Sequence, residues 1–376
     1  MRRFIGLMSA TLIVLGLVGV SRPAGAGSPP GVSGKIAFYR DGEGVLTIDP
    51  DGTNQIQLGE DLVLGSNEAW APDGSKLLVY EFLQDEGARP ATINADGSDL
   101  TLLDAYPDVV QHFQCDFWSP DGTRFLCGTR EDVRPVNGLY TLRSTDGGDL
   151  IRITTSPQAS SCASREGACY EDIPRGYSPD GSLILFNRQK RSTHLGRLFL
   201  VHPDGTGLSH LSPPGLLIRD EDPGSIPADW SPDGSQIAFV AFRKTDKHQR
   251  TSLYVVNTDG TGLHRITPFS LGARHGARWS PDGERIAFST AFGRTRFGVG
   301  PQIWVVNPNG TDLLELTYPV HGQISLIPVW SPDSTELVFQ GQGNLWIVNA
   351  DGSGFFQLTN TTEGDNTPAW GTAPAG

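Results

Sequence analysis

Short apolar runs of three to five residues punctuate this chain at near-regular spacing, and none extends into the 3.6-residue periodicity of an amphipathic helix. One cycle repeats along the chain. An aromatic residue closes a run and leads into a tight turn, as in Trp70-Ala71-Pro72-Asp73-Gly74, Trp118-Ser119-Pro120-Asp121-Gly122, Tyr177-Ser178-Pro179-Asp180-Gly181, Trp230-Ser231-Pro232-Asp233-Gly234, Trp279-Ser280-Pro281-Asp282-Gly283 and Trp330-Ser331-Pro332-Asp333-Ser334, with a degenerate copy at Trp370-Gly371. Successive aromatics lie 40 to 59 residues apart. After each turn comes a run such as Ile237-Ala238-Phe239, then a second such as Ile303-Trp304-Val305-Val306, then an Asp-Gly or Asn-Gly turn, and last a run ending in Ile-Thr or Leu-Thr. Each cycle predicts four short strands joined by turns.

The turn residues have separate physical roles. Proline presets φ for the first turn position, aspartate suits the second, and glycine takes the left-handed position that closes a type I hairpin with a bulge. The recurring aspartates are therefore turn formers, not a series of catalytic carboxylates. If Ser119 pairs with Thr123 across such a hairpin, paired residue numbers sum to 242, which sets Cys115 opposite Cys127 and predicts a disulfide between them. Cys162 and Cys169 stand seven apart in the longest insertion and are expected to staple it as a second disulfide.

Four-stranded repeats arranged in a ring form a β-propeller, in which closure removes exposed sheet edges. The chain opens on a strand that normally follows the Trp motif, Lys35-Ile36-Ala37-Phe38. It ends on the strand that normally precedes it, Pro368-Ala369-Trp370. The expected fold is all-β: a seven-bladed propeller of four-stranded antiparallel blades, closed by pairing of the N- and C-terminal strands, with Trp370 beside Ile36.

The repeat Trp-Ser-Pro-Asp-Gly-x-x-Ile-Ala-Phe, followed by Val-Asn-x-Asp-Gly-Thr and Leu-Thr, resembles the TolB-type propeller repeat, a relative of WD-repeat propellers. The resemblance spans residues 34–371. It departs from TolB in having seven repeats where TolB has six, and no separate N-terminal α/β domain. Similar propellers cover the catalytic domain of prolyl oligopeptidases, but no Gly-x-Ser-x-Gly elbow occurs here, which argues against peptidase chemistry.

The first residues change the cellular picture. Arg2 and Arg3 precede an apolar run from Phe4 to Val20 and an Ala24-Gly25-Ala26 site, the arrangement of a secretory signal peptide cut after Ala26. The expected organisation is a signal peptide at 1–26, a short linker at 27–33, the propeller at 34–371 and a tail at 372–376. That places the protein outside the cytoplasm, secreted or in the periplasm or cell envelope, with no membrane span after cleavage. Loss of Arg2, Arg3 and Arg22 takes the net charge from −13 to −16, which argues against nucleic acid as a partner.

Strands labelled a (ending in the aromatic), b, c and d from the axis outward place the tight a–b and c–d turns on one face. The longer, variable b–c and d–a connections fall on the other, the usual place for binding on a rigid scaffold. Candidate ligand-binding residues at the channel mouth are His112, Asp172, Asp220, Glu221, Asp222, Arg274, His275, His321 and Asp365. A basic patch is expected in neighbouring b–c loops, from Arg188, Lys190, Arg191, Arg243, Lys244, Lys247 and Arg250. Oligogalacturonate lyases are similar in architecture and carry a His-rich metal site, but no His-x-His or His-Glu-x-x-His spacing occurs, so neither metal nor cofactor is expected. The reading favours a monomeric, non-enzymatic binding scaffold for a protein or an anionic glycan partner at the loop-rich face. The alternative is a carbohydrate-active lyase or hydrolase using histidine and carboxylates at the same mouth.

Overall fold

The computed structural model describes residues 33–66, 68–83, 87–105, 113–129, 137–157, 169–219, 227–290, 294–295, 298–318 and 325–374. Within them every regular element is a β-strand, and no helix is long and apolar enough to cross a membrane. The strands form a propeller of four-stranded antiparallel units. The closing unit joins Asp365–Thr372 to Ser33–Arg40, Gly44–Ile48 and Ile56–Gly59. In it Ile36 lies opposite Trp370 and Ala37 opposite Ala369, so the two ends of the chain meet as expected.

The expectation of seven separate blades needs correction. Five four-stranded sheets stand alone, and two further four-strand units share one nine-stranded sheet. The fusion is made by an extra strand, Leu216–Arg219, which pairs with Leu195–Val201 of the fourth unit on one side and Gln236–Arg243 of the fifth on the other. This strand lies inside the d–a connection between the fourth and fifth units, one of the longer connections that the sequence sets on the variable face. A second addition is a two-stranded ribbon, Arg294–Thr295 with Gly298–Val299, in the 289–301 connection.

The core sits between units. Among the described residues seven hydrophobic clusters are found, one for each neighbouring pair, and the closing one packs Val338, Leu345 and Ile347 against Ile36, Phe38 and Trp370. The phenylalanine of the Ile-Ala-Phe run is fully buried at Phe38, Phe186, Phe239, Phe288 and Phe339. In the third unit Cys127 occupies that position and is disulfide-bonded to Cys115. Three of the aromatics that end inner strands have a second use. The indole N–H of Trp70 donates to the Ala369 carbonyl (3.0 Å), that of Trp118 to Ala69 (2.9 Å) and that of Trp330 to Arg278 (3.0 Å), each reaching into the preceding unit.

The Cys115–Cys127 pairing arises by a different register from the one expected. Ser119 does not pair with Thr123. Its amide donates to the Arg124 carbonyl while its Oγ accepts from the Arg124 amide, and Trp118 lies opposite Phe125. A bulge between Cys115 and Phe117 then absorbs one residue and brings the cysteines opposite each other. The turn aspartates behave as expected: Asp121 Oδ1 accepts from the Ser119 hydroxyl (2.6 Å) and the Thr123 amide (3.0 Å), and these bonds lower its pKa.

Candidate functional site

The innermost strands place the mouth residues. Asp172 is the third residue of the inner strand of the fourth unit, directly across from Arg188 on the next strand, and Asp365 begins the inner strand of the first, across from Arg40. Both pairs are bidentate. Arg188 Nε and Nη2 donate to Asp172 at 2.6 and 2.8 Å, and Arg40 Nε and Nη2 donate to Asp365 at 2.6 and 3.1 Å. Both carboxylates are fully buried (0% side-chain exposure), and the Thr154 hydroxyl also donates to Asp172. These acids are therefore structural partners of arginine. Arg188 lies within the strand Ile184–Lys190, with its guanidinium over Phe186 and Phe199, and so is not a member of a loop patch.

His275 is buried in the inner strand Ala273–Trp279 of the sixth unit, beside the half-buried Arg274. His112, Asp220, Glu221, Asp222 and His321 lie outside the described residues. Among the described residues no group of three His, Cys, Asp or Glu side chains is placed to hold a metal ion. Cys169 is disulfide-bonded, and Cys162, its expected partner, lies outside the described residues.

Deeper in the channel is a charge cluster that sequence reading missed. Arg278, on the inner strand of the sixth unit, forms an ion pair with Glu68 of the second unit. Contact between side chains so far apart round the ring is possible only across the axis. Asp229, on the inner strand of the fifth unit, accepts from the Trp230 amide (2.9 Å) and from the Trp279 amide of the next unit (2.8 Å). Burial pushes the Asp229 pKa up to about 7; nearby Glu68 adds to the rise, whereas Arg278 and the two amides oppose it. The only available signal was a charge one or two residues before an inner-strand tryptophan, in a stretch otherwise read as apolar.

On the loop-rich side of the fifth unit, Arg243, Lys244, Lys247 and Arg250 are exposed, as a basic patch requires. Lys190 and Arg191 are half-buried at the end of the fourth unit's second strand, and Arg191 lies 3.9 Å from Glu171. Three guanidiniums surround one ring: those of Arg265, Arg243 and Arg250 lie 4.4, 5.4 and 6.0 Å from the centroid of Phe269. Arg265 and Phe269, from the outermost strand and the loop after it, were not singled out from the sequence because neither belongs to a b–c loop.

Comparison with known proteins agrees with this architecture. Residues 220–376 match the family model of the TolB beta propeller domain, so this stretch carries the TolB-type repeat. Among solved structures, a puromycin-hydrolysing peptidase of Mycobacterium tuberculosis aligns with a TM-score of 0.57 at 16% identity, over 89% of this chain and 53% of that one. TolB from Acinetobacter baumannii aligns with a TM-score of 0.50 at 15% identity, over 89% and 82% of the two chains. Oligogalacturonate lyase from Vibrio parahaemolyticus aligns with a TM-score of 0.44 at 14% identity, over 82% and 93%. At these identities the likeness to the peptidase and to TolB is one of fold alone. A search of curated proteins finds no match.

Proposed function

We propose that this chain is a secreted, non-enzymatic binding scaffold: a TolB-like propeller that engages a protein or anionic partner on its loop-rich face. The observation that carries the reading is the use to which the mouth carboxylates are put. Asp172 and Asp365 are each held by two hydrogen bonds from a facing arginine. A carboxylate whose two oxygens are both taken by a buried arginine is engaged within the fold and is not presented to a substrate. The exposed Lys244 and Lys247 of the fifth unit form no ion pair with a described carboxylate and are presented outward on a rigid frame.

The leader read at 1–26 is part of the proposal. N-terminal sequencing of exported protein should begin at Gly27; a retained Met1 refutes the leader.

Binding itself is tested with immobilised protein covering residues 27–376, offered defined acidic peptides and acidic oligosaccharides. Charge reversal at Lys244 and Lys247 should weaken capture, and reversal at Asp51 and Asp351 on the opposite, tight-turn face should leave it unchanged. Equal loss from both faces, or chemical turnover of an offered oligosaccharide, overturns the reading.

A further inference from the structure

The ring of Phe269 gathers the guanidiniums of Arg243, Arg250 and Arg265 within 6.0 Å of its centroid. Like charges brought so close repel, and a half-buried phenyl face offsets only part of that cost. Among the described residues one carboxylate answers them: Asp246, which accepts from Arg250 Nε at 3.0 Å. Neither Arg243 nor Arg265 forms an ion pair with any described carboxylate. Lys244 and Lys247 flank the group, both exposed, and Arg219 of the added strand Leu216–Arg219 lies over Phe242 next to it. Around Phe269, three guanidiniums thus face one carboxylate among the described residues, in a chain of net charge −13.

We propose that this sector is the docking site for an acidic peptide segment of a partner protein. The proposal rests on the binding-scaffold reading and names its partner. Three features favour a peptide over an acidic polysaccharide. Guanidiniums stacked on a ring expose their N–H edges, which suit side-chain carboxylates in bidentate contact. The ring itself is engaged by arginine, so it offers no free platform on which a sugar could stack. Leu263, two residues before Arg265 along the chain, is 38% exposed and offers an apolar contact for a side chain between acidic residues.

The test uses the chain from residue 27, with a fluorescein-labelled deca-glutamate peptide as probe and anisotropy as readout. Binding is expected at low salt and should weaken steeply by 0.5 M salt. R243E/R265E should lower affinity at least tenfold. F269L, which removes the ring but no charge, should lower it several-fold by releasing the arginines. R143E, an equal change per site at an exposed arginine of the third unit, should have little effect. Equal loss in R143E and R265E, no loss in F269L, or tighter binding of polygalacturonate than of the peptide each overturns the proposal. If the peptide fails to bind while the loop-rich face still captures another partner, the peptide assignment falls and the scaffold reading stands.

Discussion

Arg40 and Asp365 form a bidentate ion pair across the seam at which the first strand meets the last. Breaking a buried pair by removing one partner leaves an uncompensated charge, at a cost of about 3–5 kcal/mol. Arg40→Met is therefore expected to lower stability by that order in urea denaturation, and R40M/D365L to recover most of it. If the double variant is as unstable as the single one, the loss comes from packing and the seam does not depend on this pair.

Asp229 predicts a pH dependence. Its folded-state pKa of about 7 exceeds the value near 3.9 of an unfolded-chain aspartate, so between those values the folded state holds the extra proton. Stability should therefore fall as pH rises from about 4 to about 7 and level off above, by at most on the order of 4 kcal/mol from this group. Asp229→Asn keeps one acceptor for the two amides and removes the titration. Unfolding free energies of D229N at pH 4.5 and 7.5 should then differ in a shallower slope than wild type; an unchanged slope would refute the assignment.

The Cys115–Cys127 disulfide closes a short hairpin whose strands are already paired. Chain-entropy reasoning gives about 3 kcal/mol for a loop of this size. Cys115→Ser with Cys127→Ser should lower the melting temperature by several degrees while leaving the far-ultraviolet spectrum intact. Loss of the β-sheet spectrum would show that the bond is needed for folding.

Two equivalent turn positions predict opposite responses. Gly74 has φ +70°, and a Cβ there would lie 2.1 Å from the Thr372 carbonyl oxygen of the closing strand. Gly74→Ala is expected to cost more than about 2 kcal/mol, through main-chain clash and left-handed backbone. Ser334 occupies the same turn position at φ 64° without glycine, and its Oγ accepts from the Asp282 amide of the neighbouring unit at 3.0 Å. Ser334→Gly relieves the backbone but loses that bond, so a change within about 1 kcal/mol is expected. Equal effects at both sites would show that the seam places no special demand on Gly74.

The propeller was readable because one short motif recurs with its turn chemistry intact, and the order of strand types at the two ends specified the Ile36–Trp370 seam. What escaped was whatever breaks period-two alternation. Bulges on both sides of His275 separate it from Arg278, so parity along that strand does not say which side chain faces the axis. The Leu216–Arg219 strand was hidden because its pairing partners are the ends of strands in two different units, a relation that no repeat unit encodes. Asp172 and Asp365 could be assigned to inner strands from the repeat alone. Their arginine partners could not be assigned without the register that sets each pair face to face.

The meeting of Ser33–Arg40 with Asp365–Thr372 also has a kinetic side. Trp370 and Ile36 share one of the inter-unit cores, so Ser33–Arg40 waits for Asp365–Thr372, made much later, before that hydrophobic contact can form. Until both strands exist, this pairing cannot close the ring and the faces they bury remain open to solvent.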